Sequence, residues 1–572
     1  MLGYLLEIAI NGGQEYTHVI FFGNKIMLTR ANNYNDVCRA LKWQIPEHFN
    51  MGVDVCDKHA ERTPEKTALI IEDEDGDVTQ YSFLALQRLS NKLANLFVAQ
   101  GLKPGDRVAI LLSQSVETGI AHIAAWKAGL ISIPMFTLFG EDALEFRLTD
   151  CGAKAIITDA DNFHKIEAIR DKLPNLELVL LTGAGDFSDA GSGPVSLWNA
   201  LDKASDAFTS LITKSEDPAL IIYTSGTTGN PKGALHAHRT LLGHLPGVEF
   251  PHEFFPQADD LMWTPADWAW IGGLMNVLMS SWHHGVPVLA QRARKYDPEK
   301  ALALMARHRV RNTFMPPTAL RLMTQIERPK ERFNIDLRTV TCAGEPMGAE
   351  LLDWGRQALG VTFNEYYGQT ECNLVVANCA ELMDVKPGSM GRPVPGHEVE
   401  IIDGEGNILP PEETGAIAIK SPDPVLFLEY WNNPEATKTK FLDDWLLTGD
   451  LGTKDADGYL WFVGRDDDVI SSAGYRIGPG EIEDCISKHP AVSLVAVIGV
   501  PDPLRTEAVK AFIMLRAGNN GDPDLETDIR NFVKTRLSPH EYPRHIEFVD
   551  DLPMTATGKI KRKELRDGEK DK

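Results

Sequence analysis

The apolar run "ALII", Ala219 to Ile222, passes directly into "YTSGTTGNPKG", residues 223–233, and no other stretch restricts this chain as tightly. A short apolar run bounded by turn residues reads as a buried strand. The segment that follows packs three glycines, five hydroxyl side chains and one lysine into eleven positions. Gly226, Gly229 and Gly233 permit positive φ and close backbone approach, so amide N–H groups can converge on an anion. Thr224, Ser225, Thr227 and Thr228 add hydroxyl donors, and Lys232 adds the charge. The stretch does not match G-x-x-x-x-G-K-[ST] in any register. "SGTTG" alone would read as an ordinary turn; with a strand before it and "NPKG" after it, the reading shifts to an anion-binding loop.

Upstream, β-rich runs alternate with helical stretches: "DRVAILLS" with "VETGIAHIAAWKAG", "KAIITD" with "FHKIEAIRDKL", then "LELVLLTG", and "PALIIYTS" with a helix expected after Gly233. That alternation predicts an α/β fold with largely parallel sheets flanked by helices. "GDFSDAGSGPVS" reads as a surface loop. Between Gly388 and Tyr459 the texture changes to short strands with Gly and Pro turns, which predicts a β-rich subdomain. From "GEIEDCISKHP" onward the pattern spells a small α+β module. The expected organisation is an extension at 1–26, a large N-terminal domain at 27–463, a hinge at 464–468 and a small, mobile C-terminal domain at 469–572.

A formal charge of -24 repels polyanions and argues against a nucleic-acid binder, so a phosphate-bearing ligand must meet a local positive site. Seven cysteines, scattered and never spaced C-x-x-C, argue against a disulfide framework or a zinc ribbon. That cysteine pattern fits a reducing cytoplasm, the expected compartment; no apolar run is long enough to span a bilayer, and Glu7 inside the opening apolar stretch argues against a secretory signal. His236 and His238 form an H-x-H pair with no third ligand nearby, a weak metal signal.

The loop resembles the phosphate loop of the AMP-forming adenylating superfamily, which includes acyl-CoA synthetases, adenylation domains and luciferases. Further stretches match that family in order: "AGEP" (343–346), "YYGQTE" (366–371), "TGD" (448–450), "GRDDDVISSAGYRIGPGEIE" (464–483) and "PMTATGKIKRKELR" near the terminus. The resemblance begins near Asn50 and leaves the first 26 residues outside it, with Met27 an alternative start. It implies activation of a carboxylic acid by ATP to an acyl-AMP, then transfer to CoA. Chemically, a carboxylate is a poor acyl donor, and the step that activates it brings two anions together; the site must supply cations and hydrogen-bond donors.

By resemblance, residues 224–232 hold the β- and γ-phosphates, and Glu371 with Thr228 holds Mg²⁺, a hard cation suited to oxygen ligands. Asp450 accepts the ribose hydroxyls, Arg465 contacts the nucleotide, and Gly344, Glu345, Pro346, Glu365, Tyr366, Tyr367, Gln369 and Thr370 line the adenine slot. Lys559 bridges carboxylate and α-phosphate during adenylation. The C-terminal domain then turns about Asp467 and presents Ala473, Gly474 and Tyr475 to a pantetheine tunnel. Arg476, Arg505 and Tyr542 resemble positions that take the CoA nucleotide, although "LSPHEYPR" departs from the usual "YKYPR" through His540 and Glu541. Trp270, Ile271, Gly272, Ala343 and Gly344 border the acyl group, and Gly368 stands where acetate-activating relatives have tryptophan. Together with "WQIPEHFNMG" near the start, which resembles the medium-chain branch, this implies a medium-chain acid, straight, branched or aryl. Two alternatives stand beside it: an enzyme that delivers the acyl group to a separate carrier or another acceptor, and an inactive sensor on the same scaffold.

Overall fold

Strands Arg107–Leu111, Ala155–Asp159 and Leu178–Thr182 consist almost wholly of Val, Ile, Leu and Ala, with nearly every residue buried. Strands that are apolar on both faces need helices on both sides, which is the parallel-sheet solution. The computed structural model describes residues 26–183, 193–224, 230–292, 296–344, 347–465, 470–538, 540–553, 560 and 562–570, and the backbone of a hairpin at Glu7–Asn11 and Gln14–His18. That hairpin forms a two-stranded sheet of its own.

An eight-stranded sheet runs in the order Glu429–Tyr430, Lys232–Ala237, Pro218–Thr224, Ile131–Pro134, Arg107–Leu111, Ala155–Asp159, Leu178–Thr182, Val195–Ser196. Its six strands from Pro218–Thr224 onward are parallel. The intervening helices start where side chains cap them: Ser115 accepts from the Thr118 amide ahead of Val116–Lys127, and Asp159 from the Asn162 amide ahead of Ala160–Ile169. A nine-stranded sheet lies alongside and carries Asn312–Phe314, Thr339–Cys342 and Phe363–Gln369 as parallel neighbours. Val399–Ile402, Gly415–Lys420, Trp445–Lys454, Phe441–Leu442 and Leu460–Arg465 make the β-rich unit that the Gly/Pro texture predicted. A further five-stranded sheet, built on the long hairpin of Val492–Asp502 with Thr506–Leu515 and covered by helices Pro479–Ser487 and Pro523–Arg536, forms the C-terminal part.

Two local expectations are corrected. No helix follows Gly233: Lys232–Ala237 is a strand paired antiparallel to Pro218–Thr224, and the helix begins only at Thr240. The two strands flank the glycine-rich stretch, of which residues 225–229 lie outside the described residues. The reason lies in pairing, since Lys232–Ala237 is held between Pro218–Thr224 and the distant strand Glu429–Tyr430. The second correction concerns "GDFSDAGSGPVS": its residues 185–192 lie outside the described residues, but Val195–Ser196 adds an edge strand to the sheet.

The C-terminal part is docked on the N-terminal part. Ile470, Ile482, Val497 and Ile529 share one apolar cluster with Ala109, Leu111 and Ile156 of the eight-stranded sheet. The Gly140 amide donates to the Leu537 carbonyl at 2.8 Å, and a Cβ on Gly140 would stand 2.2 Å from the Arg536 carbonyl oxygen. The docked arrangement requires glycine there.

Candidate active site

The C-terminal end of strand Phe363–Gln369 meets strand Trp445–Lys454 at the Asp450 carboxylate. Asp450 is buried, and its Oδ2 accepts from the Tyr367 hydroxyl at 2.6 Å and from Gln369 Nε2 at 2.8 Å. The Thr448 hydroxyl donates to the Ile417 carbonyl at 2.7 Å, which ties this turn to the neighbouring strand. Glu371 is buried too and accepts a hydrogen bond from the Tyr430 hydroxyl. Burial, the largest influence on Glu371, pushes its carboxyl up, but the Lys440 ammonium and the Tyr430 hydroxyl outweigh it and hold the group below the ordinary glutamate value. Glu365 behaves oppositely: burial pushes it to about 8, resisted only by the Met347 amide.

Lys232, Thr370, Glu371 and Lys440 share a cavity of about 370 Å³ with Trp270 and Tyr475, so the two parts of the chain enclose it together. A series of rings runs from the core behind its wall across the junction between the parts. Tyr366 stacks on Phe314 (centroids 5.5 Å apart), Phe314 on Trp270 (6.4 Å), Trp270 meets Tyr475 (5.9 Å), and Tyr475 stacks on His540 at 3.6 Å. Gly474 stands close by: a Cβ on Gly344, whose φ is +92°, would lie 3.5 Å from the Gly474 carbonyl oxygen and 3.5 Å from the Trp270 ring.

Of the residues singled out from sequence, Thr224, Lys232, Trp270, Gln369, Thr370, Glu371 and Tyr475 line this one cavity, and Gly344, Tyr367, Asp450 and Gly474 adjoin its lining residues. Tyr366 is 4 % exposed and packs on Phe314. Trp268 is fully buried in the core, whereas Trp270 reaches the cavity. Gly272 abuts Phe314, whose Cε1 would lie 2.9 Å from a Cβ there, and Ala343 and Ile271 pack beside the main core. Ala473 donates its amide to the Arg505 carbonyl, and Tyr542 sits between the cations of Lys534 and Arg544. Arg465 pairs with Asp450 through the backbone, and Arg476 belongs to strand Tyr475–Ile477. Ser225, Gly226, Thr227, Thr228, Gly229, Glu345, Pro346, Asp467 and Lys559 lie outside the described residues.

Gly368 has a backbone reason of its own. A Cβ on it would fall 1.2 Å from the Asn373 carbonyl oxygen and 2.2 Å from its carbon, because the strand is bulged between Tyr367 and Gly368 against its partner Asn373–Ala377. Glycine is required here by the turn of the backbone, so its presence does not by itself report an opened acyl pocket. His236 and His238 are both buried, burial holds their imidazoles at about 4 and about 3, and among the described residues no cluster of His, Cys, Asp or Glu forms a metal site. Lys440, Tyr430 and Arg147, which also line the cavity, were not legible as site residues. Lys440 sits in "EATKTKF", where spacing gives it no distinction from a solvated lysine.

Two buried carboxylates, Lys232 on the strand that follows the glycine-rich stretch, and a cavity enclosed by both parts of the chain are the equipment of a nucleotide-using ligase of the adenylating type. Two family models match the chain: "AMP-binding enzyme" over residues 56–431 and "AMP-binding enzyme C-terminal domain" over residues 481–559. The chain belongs to the AMP-binding enzyme family and is an AMP-forming acid–CoA ligase. It is 36% identical over 538 residues to "Acyl-coenzyme A synthetase ACSM4, mitochondrial" of Rattus norvegicus, covering 92% of this chain and 91% of that protein. It is also 36% identical over 506 residues to "Uncharacterized acyl--CoA ligase YtcI" of Bacillus subtilis, covering 88% and 93%. Among solved structures, an acyl-CoA synthetase of Brucella canis superposes with a TM-score of 0.71 at 32% identity over 95% of this chain and 99% of that one. An anthranilate CoA ligase, AuaEII, in complex with anthranoyl-AMP superposes with a TM-score of 0.69 at 29% identity, over 92% and 98%.

Proposed function

We propose that the enzyme activates a medium-chain carboxylic acid, straight, branched or aryl, and that the residues gathered at the cavity divide the two half-reactions between them. In the first, Lys232 and the glycine-rich loop carry the triphosphate, Asp450 takes the ribose hydroxyls, and Lys559 joins carboxylate and α-phosphate oxygens. Glu371, with Thr228, would hold Mg²⁺, which supplies charge neutralisation at the phosphates. The fit rests on Glu371 being held ionised at the cavity wall; a single carboxylate suffices, because Mg²⁺ is commonly bound by one or two carboxylates and the substrate phosphates.

In the second half-reaction the C-terminal domain, hinged at Asp467, presents Ala473, Gly474 and Tyr475 to the CoA thiol. The observation that carries this reading is the seating of Gly474 and Tyr475 against Gly344 and Trp270 at the mouth of the nucleotide-side cavity. The acid class is supported by the indole of Trp270 on the cavity wall, backed by Phe314, whose apolar face rewards each added methylene by about 0.8 kcal/mol. A panel of C2 to C10, branched and aromatic acids, assayed with ATP, Mg²⁺ and CoA, tests it: thioester formation should peak beyond C4 or on aryl acids, and a maximum at acetate or propionate overturns the reading. The cytoplasm remains the proposed compartment on the ground of seven free cysteines, and fractionation of the native host checks it.

A further inference from the structure

Lys440 follows the short helix Pro434–Thr439, and its ammonium turns inward to the cavity. Nζ donates to Gln369 Oε1 at 3.2 Å and to the Thr448 carbonyl at 3.1 Å. Its own carbonyl accepts from the Leu447 amide at 2.8 Å, which fixes the residue to the strand that carries Thr448 and Asp450.

An ammonium group can donate but not accept, so it selects one face of an amide. With Oε1 of Gln369 held by Lys440, the NH₂ end must point the other way, and it does: Nε2 donates to Asp450 Oδ2 at 2.8 Å and to the Thr448 carbonyl at 2.8 Å. Were the amide reversed, its NH₂ would face the ammonium and its oxygen the Asp450 carboxylate, two repulsive contacts in a buried setting. The Tyr367 hydroxyl occupies the same carboxylate oxygen from another side. The orientation of Asp450 is thus fixed by a relay whose outer end is Lys440.

We propose that Lys440 is a positioning residue for nucleotide binding: through the Gln369 amide it sets the orientation of Asp450 and so creates the preference for an intact ribose. The proposal rests on the reading that Asp450 accepts the ribose hydroxyls. Lys440 belongs to the N-terminal part, so the relay is independent of where the C-terminal part stands, and it serves AMP as well as ATP.

The test compares equilibrium binding of AMP and of 2′,3′-dideoxy-AMP, by calorimetry, to the wild-type enzyme, Lys440→Met, Lys440→Arg and Asp450→Asn. Wild type should prefer AMP, and Asp450→Asn should lose that preference. Lys440→Met should bind AMP about 10-fold more weakly, the scale of a lost hydrogen bond to a charged group, while its affinity for the dideoxy nucleotide changes little. Lys440→Arg, which keeps charge and donors, should restore the preference. A merely structural lysine would weaken both nucleotides alike. If Lys440→Met retains the full preference, the proposal fails while the Asp450 reading stands; if wild type shows none, the Asp450 reading fails and the proposal with it. Should the methionine variant not fold, Lys440→Gln is read instead: it keeps a donor and should retain more of the preference than Asp450→Asn, and equal loss in the two variants overturns the relay.

Discussion

Two buried glutamates on one strand and its following turn are treated in opposite ways by their surroundings. Glu371 has a cation and a hydroxyl against it and stays ionised; Glu365 has one amide and is driven to about 8. The second case has a consequence for stability. With a folded value above the unfolded one, Glu365 binds its proton more tightly in the native state, so its contribution is fully present below about pH 4.5 and is lost as pH rises through about 8. Glu365→Gln should leave the denaturation midpoint nearly unchanged at pH 4.5 and raise the unfolding free energy at pH 8.5 by a few kcal/mol, on the order of the shift converted at about 1.4 kcal/mol per unit. Denaturant titrations at the two pH values check this, and an equal effect at both would sink it. Gly368 makes a second residue-level case. Gly368→Ala should cost at least about 2 kcal/mol, in the range of overpacking and backbone displacement, because its Cβ would overlap the Asn373 carbonyl. The tryptophan that suits acetate-activating relatives cannot enter here without moving strand Asn373–Ala377, so chain-length selectivity is better probed from Trp270.

At the scale of elements, the strand Pro218–Thr224 was legible because an apolar run bounded by turn residues has few other solutions. The strand after the glycine-rich loop was not. "KGALHA" has neither alternation nor β-branched residues, and it becomes a strand because Glu429–Tyr430, some two hundred residues away, offers a hydrogen-bonding edge. The ring series is likewise assembled from five separate elements, so no local pattern announces it. Trp270 is its middle member, between Phe314 and Tyr475. Trp270→Ala should lower kcat/KM with the preferred acid by about 10-fold or more, the scale of a truncated buried aromatic contact at a binding surface, and should do so more for long or aryl acids than for acetate. Steady-state assays across the acid panel measure it, and a uniform loss for all acids would assign Trp270 to packing alone.

For the whole molecule, the question is what the docked C-terminal part is for. Its contact with helix Glu141–Cys151 leaves no space for a side chain at Gly140, whose φ of -80° is open to any residue. Gly140→Ala therefore strains only this arrangement. If the docked state is the thiol-accepting one, the variant should transfer a supplied acyl-AMP to CoA about 10-fold more slowly, about 1.4 kcal/mol against the docked state, with ATP–pyrophosphate exchange nearly unchanged. Lys559→Ala should show the reverse, losing exchange while still converting acyl-AMP to thioester. Parallel half-reaction assays on the two variants decide it; identical behaviour would contradict a domain that alternates between two positions.

Sequence by itself determined the family, the order of the motifs and the residue types that chemistry with phosphate and carboxylate requires, because each of these resides in contiguous stretches whose glycines and charges have few other uses. It also determined the parallel-rich core, since strands buried on both faces carry an unbroken apolar signature. Tertiary structure alone decided which of Trp268 and Trp270 faces the cavity, why Gly368 must lack a side chain, and that a lysine just beyond a short surface helix turns inward to orient an amide against Asp450. Those outcomes depend on atoms brought together from remote parts of the chain, where a carbonyl, a ring or an ammonium a few ångströms away sets the role that local pattern leaves open.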